Sequence, residues 1–374
     1  MSKTIQRILL LIYLVINLLF VEKYASRFTN YHLYVSLAYL FVTIFIIYFF
    51  SKRIALSKNT TIWELTIGSI LLAIGIGIQC SIDPYSIQVD RWSAIHNFLT
   101  NMLQGHYPYG ATTHLGGYGS PFPVWQIFHL PFYYLGNIAL SIFVVTIAFI
   151  ATIHHFHSNK SALLAILLLA ISPAFWYEIA VRSDLVTNML LVAIIVEWLI
   201  NKQIKLHQHI FSIGILVGLI LSTRLIAVIP LCVIYGYEFL CIGWKKQILF
   251  IITALTTFAC TFLPFFFWEG STLLFFEYNP FILQTRQGSW MVLAIFGVIA
   301  IIVTLFIKGN YKYQLTAIGL LLTTLVVIAF VEKMQQQHLW NSLFTPAFDI
   351  TYLVTALPFY TIQLSCSLLS NKQK

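Results

Sequence analysis

One acidic residue stands at the start of a polar, aromatic-rich stretch whose residue types could do chemistry. Asp90 opens a segment, residues 90–104, in which apolar residues recur every three or four positions, and this spacing predicts a helix with one apolar face. Asn97, Asn101 and Gln104 fall on the other face. Carboxylates serve as general acids and bases. An Asp at a helix start is also typical of an N-cap or first-turn acid, so both roles stay open for Asp90.

Three arginines interrupt or border apolar runs: Arg182, Arg224 and Arg286. A guanidinium group is a planar fork that suits phosphate oxygens. The alternatives are snorkelling to lipid headgroups or pairing with Glu178 and Asp184. Arg224 is the most constrained, because it joins two apolar runs with almost no loop and a charge there needs a partner. Asp184 is the candidate partner, and it is equally a candidate for the wall of a binding pocket.

The composition of the chain is that of an integral membrane protein. Of its 374 residues 59% are apolar and 9% are charged, whereas soluble proteins carry about 25% charged residues. This excludes a soluble enzyme, a disordered chain and a nucleic-acid-binding protein. We expect one all-α domain over residues 1–374, a transmembrane bundle of about 12 spans. The candidate spans are roughly 5–21, 33–50, 62–81, 121–154, 161–178, 183–201, 208–222, 225–242, 247–267, 289–307, 313–331 and 347–367.

The fourth candidate span is too long for one straight helix. Pro121, Pro123 and Pro131 fall in its first half, and Gly136 precedes an uninterrupted apolar run to His154. Because proline removes a backbone donor and kinks a helix, we expect a broken or re-entrant helix followed by a full span. Irregular backbone at membrane depth is tolerated only where protein or a watery cavity covers it. The break is therefore a first indication of a cavity.

The distribution of Lys and Arg predicts which span ends face the cytoplasm. One set of alternating segments holds 14 of the 21 cations, including Lys58, Lys372 and Lys374, and the other set holds 7. Since cytoplasmic loops are enriched in Lys and Arg, both termini are predicted to be cytoplasmic. Nine of the 12 acidic residues, Glu277 among them, fall on the outer side together with the largest loop, 82–120. We expect an outward-facing site, with the helix over 90–104 lying in the membrane interface.

This outer loop resembles the GT-C superfamily of multi-pass glycosyltransferases, which use polyprenyl-phosphate-linked sugars. The resemblance rests on the order Asp90-Arg91-Trp92, then Leu103-Gln104-Gly105-His106-Tyr107-Pro108-Tyr109, then Tyr118-Gly119-Ser120-Pro121-Phe122, then Pro131. It is strongest with a mannosyltransferase-like branch, whose first large outer loop carries an Asp and later a Gly-x-x-Pro-Tyr motif. One departure is that the Asp follows the third span here, whereas it follows the first in many members. This implies an added helix pair or a variant topology.

The resemblance implies a membrane glycosyltransferase with its active site outside. Asp90 would be the general base that deprotonates the acceptor hydroxyl. Arg182, Arg224 and Arg286 are the candidates for the donor phosphate. The full set of candidate substrate-binding residues is Asp83, Arg91, His106, Tyr109, Arg182, Asp184, Arg224 and Arg286. Asp83 beside Pro84 is also typical of a turn, and His106 is also typical of a solvated loop.

The implied partners are a polyprenyl-phosphate-linked sugar donor, a glycan or glycolipid acceptor and the lipid bilayer; no nucleic acid is expected. The compactness of the chain and its lack of targeting motifs favour a bacterial inner (cytoplasmic) membrane. No cofactor is expected. A divalent metal is compatible with the superfamily, but the outer histidines lack metal-ligand spacing. Two other classes stay open. A transporter or flippase of a lipid-linked glycan predicts charges near the bilayer midplane and internal symmetry. A non-catalytic membrane assembly subunit predicts that the Asp90→Asn substitution changes nothing.

Overall fold

The structure, a computed structural model, describes residues 2–56, 60–273, 279–286, 288–345 and 348–370. Lys58, Glu277, Lys372 and Lys374, which entered the charge count, lie outside the described residues. The described chain consists of α-helices and short 3₁₀ turns and contains no β-strand; Thr112 and Tyr118 form one isolated β-bridge. The predicted all-α class is confirmed.

Eighteen α-helices follow one another along the described part of the chain. They are α1 (Lys3–Ala25), α2 (His32–Leu56), α3 (Thr60–Ser81), α4 (Arg91–Leu103), α5 (Pro123–Phe128), α6 (Leu130–Tyr134), α7 (Ser141–Phe156), α8 (Asn159–Ala170), α9 (Pro173–Ala180), α10 (Leu185–Asn201), α11 (Ile210–Leu221), α12 (Ile229–Cys241), α13 (Trp244–Phe266), α14 (Pro280–Thr285), α15 (Trp290–Ile307), α16 (Tyr311–Gln337), α17 (Leu339–Phe344) and α18 (Leu357–Ser370). Five 3₁₀ turns lie between them at Pro84–Ser86, Pro108–Gly110, Ile138–Leu140, Leu225–Val228 and Ile350–Ala356.

Eight segments of the described chain are long and apolar enough to cross a bilayer. They comprise α1, α2, α3, α13, α15, the major part of α16, α7 with its preceding turn, and the stretch Ile350–Leu369. The helices α8 and α9 together make a ninth if their 68° bend lies within one broken span. The protein is thus an integral membrane protein by the length and composition of its helices.

Three further apolar helical segments, α10, α11 and Leu225–Cys241, are shorter. The 12 residues of α11 extend only about 18 Å at 1.5 Å per residue, against a hydrocarbon core of about 30 Å. Each of the twelve predicted spans overlaps one of these helical segments. The count of about 12 spans nevertheless stays a prediction, because these three segments are shorter than the eight above and α11 is too short to cross as a single straight helix.

The predicted break in the fourth candidate span is confirmed. Its first half forms the short helices α5 and α6, and α7 follows after the Ile138–Leu140 turn. Pro123 and Pro131 lie in the first turns of α5 and α6, where the missing backbone donor costs nothing. Gly136 lies between α6 and α7 with a φ of 81°, a value that favours glycine. The prolines therefore start two helices instead of kinking one.

The helices divide into a buried centre and a lipid-facing periphery. In the stretch Ile350–Leu369, 78% of the apolar 18-residue window is buried inside the protein, and in α7 and α16 the buried share is 56%. The buried share is only 11% in α3 and 17% in α2 and α15. Phe149, Leu322 and Phe359 belong to the same buried apolar cluster, which joins the central helices. The Ile350–Ala356 turn at one end of this centre is consequently held in place, and it presents Asp349 and Thr351 to the loop over 82–120.

The helix α4 packs its apolar face against protein. Trp92, Ile95, Phe98 and Leu99 are buried in a second apolar cluster, which also contains Phe122, Trp125, Phe262 and Phe265. The predicted periodicity is confirmed, because these residues recur every three or four positions. The location of α4 in the membrane interface stays a prediction. Packing on this cluster fixes the first residue of α4 and the residue before it.

Candidate functional site

Asp90 lies directly before α4 at the N-cap position, but its side chain makes no capping hydrogen bond. Its Oδ2 instead accepts a hydrogen bond of 2.9 Å from Thr113 Oγ1. The residue is half-buried. The N-cap role, which the sequence left open for Asp90, is therefore not the one its side chain adopts, and the carboxylate faces the glycine-rich loop.

The glycine-rich loop over residues 110–119 folds back as a tight turn around Thr113. The bridge between Thr112 and Tyr118 closes it, and Thr113 N donates to Gly117 O at 2.7 Å. Gly117 N donates back to Thr113 Oγ1 at 3.0 Å. A Cβ placed on Gly117 would lie 2.9 Å from Asp90 Oδ2. Backbone and carboxylate therefore approach so closely that only glycine fits without displacing one of them.

Arg91 points away from Asp90 and joins three other segments. Its Nη1 donates to Ser183 Oγ at 2.9 Å, and its Nη2 donates to Thr351 Oγ1 at 2.7 Å and to the Asp349 carboxylate. Its Nη1 also lies 3.7 Å from Glu178 Oε1. Burial alone would lower the pKa of Arg91, but the Asp349 and Glu178 carboxylates hold that pKa above its ordinary value. The guanidinium therefore stays charged and ties the start of α4 to the rest of the protein.

Arg224 and Asp184 form a buried ion pair. Arg224 Nε donates to Asp184 Oδ2 at 3.0 Å, and its Nη2 donates to Oδ1 at 2.8 Å and to Oδ2 at 2.6 Å. Trp125 Nε1 adds a third donor to Oδ2 at 2.6 Å. Asp184 is therefore the partner that the sequence predicted for Arg224.

An apolar cavity of about 230 Å³ lies beside Arg224. Val292, Phe296 and Ala329 are among its aliphatic and aromatic walls, and Arg224 and Tyr352 are among its polar members. Neither Arg224 Nη1 nor the Tyr352 hydroxyl makes a hydrogen bond to any residue that the structure describes. The cavity therefore combines an apolar wall with a cationic and a hydroxyl group that keep free donors.

Two links connect this cavity with the region around Asp90. The Arg91 guanidinium lies 5.5 Å from the centre of the Tyr352 ring. Gln284, which lines the cavity, donates from Nε2 to Ser120 O at 2.8 Å, and its Oε1 accepts from Leu225 N at 3.1 Å. Hence the Arg91 contacts, the Asp184–Arg224 pair and the cavity form one connected region, and Asp90 adjoins it as the chain neighbour of Arg91.

The remaining arginines and the remaining aspartate among the candidate substrate-binding residues take no part in the described contacts around Arg91, Arg224 and the cavity. Arg182 Nη2 donates to the carbonyls of Gln79 and Ile82 at 2.6 and 3.2 Å, and thus binds the end of α3. Its φ of 53° is uncommon for a residue with a side chain. Asp83 is exposed and accepts from Tyr85 N at 3.1 Å, which is the turn role that the sequence left open. Arg286 is exposed after α14.

His106 and Tyr109 have different surroundings. His106 is exposed, and its backbone N–H donates to Asn101 O at 2.9 Å beyond the end of α4. Tyr109 is buried, its hydroxyl donates to Pro121 O at 3.3 Å, and its ring packs edge-on against Phe98 at 4.8 Å. Tyr109 therefore holds the loop to α4, and His106 stays at the surface.

The residues of this region that sequence reasoning missed include Thr113, Asp349 and Thr351. Asp349 is one of the nine acidic residues that the sequence predicts on the outer side, and its position at the start of the predicted span 347–367 is the available signal. Thr113 carried no signal, because a threonine in a glycine-rich loop has no distinctive spacing. Among the described residues, no group of three or more His, Cys, Asp or Glu side chains could hold a metal ion. In comparisons with known proteins, no family model, curated protein or solved structure matches the chain.

Proposed function

We propose that this protein is an integral membrane glycosyltransferase of the GT-C type. It moves one sugar from a polyprenyl-phosphate-linked donor to a lipid-linked or cell-surface glycan acceptor. On this proposal it resides in a bacterial inner membrane with about twelve spans, both termini in the cytoplasm and the active site outside. The support is the combination of an arginine and an apolar cavity in one connected region, which the Asp90 carboxylate adjoins.

The observation that carries the proposal is the bonding state of the Asp90 carboxylate. Oδ2 is held by Thr113, while Oδ1 makes no hydrogen bond and no ion pair with any described residue. The carboxylates of Asp184 and Asp349 are each paired with an arginine. Asp90 is thus a better candidate for the general base than Asp184 or Asp349, because its Oδ1 is not engaged by another described side chain.

The reaction assigns Asp90 Oδ1 to the acceptor. It takes the proton of the acceptor hydroxyl while the hydroxyl oxygen forms a bond to the anomeric carbon of the sugar. The bond between that carbon and the phosphate oxygen breaks, and its electron pair leaves with the polyprenyl phosphate. The departing phosphate carries increasing negative charge, which a nearby guanidinium stabilises.

The donor is assigned to the cavity beside Arg224. Its apolar walls suit the first part of a polyprenyl chain, since burying each CH₂ group contributes about 0.8 kcal/mol. Arg224 keeps Nη1 free while Asp184 holds its other donors, so the group is fixed and can still bind a phosphate oxygen. Arg182 and Arg286 make no contact with the cavity in the described structure and contribute less to this assignment.

A flippase of a lipid-linked glycan is the second candidate, and one observation favours it. The side chains of Asp184 and Arg224 are each only 4% exposed, and buried charges inside membrane bundles often mark a transport path. The two functions differ over Asp90, because a flippase needs no general base.

Glycan mass spectrometry tests the proposal. Cells of the source organism that lack the gene are complemented with the wild type, with Asp90→Asn, or with Glu269→Gln as a matched control. Glu269 is an exposed outer carboxylate, and membrane levels are equalised by immunoblot. We expect one sugar to be missing without the gene and to be restored by the wild type and Glu269→Gln only. If Asp90→Asn also restores the missing sugar, Asp90 is not the general base and the flippase is favoured.

A further inference from the structure

We propose that Thr113 is a positioning residue for this reaction: it fixes the Asp90 carboxylate so that Oδ1 faces the acceptor. The inference rests on the proposed function, because it gives Thr113 a role through Asp90. Thr113 does not touch the substrate itself.

The hydroxyl of Thr113 has only one direction in which its proton can point. Gly117 N donates to Thr113 Oγ1, so this oxygen acts as an acceptor on that side. A hydroxyl carries a single donor, and the 2.9 Å contact with Asp90 Oδ2 uses it. Oδ2 is therefore the occupied oxygen of the carboxylate, and Oδ1 is the one left for a proton from the acceptor.

The support of Thr113 is rigid and shielded from water. Thr113 is 5% exposed, so solvent competes little for its hydroxyl. Thr113 N donates to Gly117 O at 2.7 Å, and the hydroxyl is bonded to the same glycine, so that backbone and side chain are both fixed. A general base acts only within hydrogen-bonding reach of its proton. A loop that prevents rotation of the carboxylate keeps Oδ1 within that reach.

Gly117 completes the arrangement because of its size. A Cβ at this position would lie 2.9 Å from Asp90 Oδ2 and 3.4 Å from Thr113 Oγ1. A contact under 3.0 Å cannot persist, and the atom free to move is the end of the Asp90 side chain. The substitution Gly117→Ala is thus expected to displace the carboxylate with little effect on the fold.

The test is initial-rate kinetics in membranes from the deletion strain. The sugar identified by the missing mass is supplied as its radiolabelled undecaprenyl-phosphate ester, and the variants are Thr113→Val, Thr113→Ser, Gly117→Ala and Asp90→Asn. Gly77→Ala is the matched glycine control, because nothing lies within 4 Å of a Cβ there. Misplacement of a base by about 1 Å costs on the order of 100-fold. We expect Thr113→Val and Gly117→Ala to lower kcat by about 30- to 100-fold with KM for the donor nearly unchanged.

Rescue by the conservative variant separates positioning from a structural role. Thr113→Ser keeps the hydroxyl, so its kcat should lie within about threefold of the wild type. Wild-type kcat in both Thr113→Val and Gly117→Ala, beside an inactive Asp90→Asn, would overturn the positioning role and leave the proposed function intact. Full activity of Asp90→Asn would instead reject the proposed function. If Thr113→Val does not accumulate in membranes, Gly117→Ala decides the question, since it removes no polar group.

Discussion

Asp184 and Arg224, 40 residues apart in the chain, form a buried ion pair in which two guanidinium nitrogens contact both carboxylate oxygens. Asp184 precedes α10, and Arg224 follows α11. Charge-assisted contacts of this forked geometry are the strongest hydrogen bonds in proteins. Trp125 from α5 donates to the same carboxylate. The pair therefore fixes three helices around the position of the free Arg224 nitrogen.

Removing one partner of this pair should destabilise the protein strongly. Each side chain is 4% exposed, so Asp184→Leu or Arg224→Met leaves an unpaired buried group and should cost about 3–5 kcal/mol. The double variant Asp184→Leu with Arg224→Met removes both charges and should be more stable than either single variant. The measurement is the Tm of the detergent-solubilised protein. Additive losses in the double variant would contradict the ion pair, and transferase activity should be absent from all variants that lack Arg224.

Lysine at position 91 should not be able to make the contacts of Arg91. The two terminal nitrogens of Arg91 serve Ser183, Thr351 and Asp349, whereas lysine offers one nitrogen at the end of a flexible stem. We expect Arg91→Lys to lose about 1.5–3 kcal/mol of stability, the contribution of a hydrogen bond to a charged group. Activity should also fall, because the start of α4 is loosened beside Asp90.

Arg27→Lys is the control for this substitution. Arg27 is exposed, and its guanidinium lies 4.8 Å from the centre of the Tyr24 ring. Lysine can keep such a contact, so the Tm and activity of the Arg27→Lys variant should match those of the wild type. An Arg91→Lys variant that behaved like Arg27→Lys would show that the contacts of Arg91 carry little energy.

The stability of the protein should fall as the pH rises above neutrality. Burial alone would lower the pKa of His157, but hydrogen bonds with Cys366 and Glu197 raise it from 6.5 to about 10. Since the folded state holds this proton more tightly than the unfolded state, the contribution to stability is complete below about pH 6.5 and is lost as the pH rises toward 10. We expect Tm to fall by several degrees across this window, and less in His157→Gln.

The neighbouring His155 provides the control for the pH experiment. His155 is exposed and packs against Phe156 and Trp198. The variant His155→Gln should keep the slope of the wild type. Equal slopes of Tm against pH in His157→Gln and the wild type would reject the contribution of the His157–Glu197 contact, which measures 2.8 Å.

Narrowing the apolar cavity should weaken binding of the donor. Ala329 lines the cavity, and Ala329→Leu should displace about two CH₂ groups of a bound chain, worth about 1.6 kcal/mol or roughly tenfold in KM. The loss should affect an undecaprenyl-phosphate donor and a donor on a short isoprenyl phosphate alike, because both carry the first part of the chain beside the phosphate. Val327→Leu, an exposed position on the same helix, is the control. An unchanged KM for both donors in Ala329→Leu would place the chain elsewhere.

Several features were predictable from local sequence. Long apolar runs require helices in a membrane, because every backbone group must be satisfied within its own segment. The prolines at 123 and 131 predicted the break before α7, and the three-to-four-residue spacing after Asp90 predicted α4. All of these follow from hydropathy, periodicity and backbone donors, which depend only on residues near one another in the chain.

The partners of the charged side chains were decided by tertiary packing. Arg182 and Arg224 have similar local surroundings at the ends of apolar runs, yet Arg182 binds the carbonyls at the end of α3 and Arg224 binds Asp184. Arg91 and Asp349 lie 258 residues apart. Nothing in local periodicity specifies which helix ends meet, since that depends on how the helices pack sideways.

The sequence by itself determined that this is a helical membrane protein and that a helix begins directly after Asp90 in the loop over residues 82–120. Only the tertiary structure decided that Thr113 holds Oδ2 of Asp90 and that the arginine next to the cavity is Arg224. The physical reason is the separation along the chain of the residues that each interaction joins. Hydrophobic burial and helix formation act along the chain, whereas a hydrogen bond of 2.9 Å requires the final positions of segments that are distant in sequence.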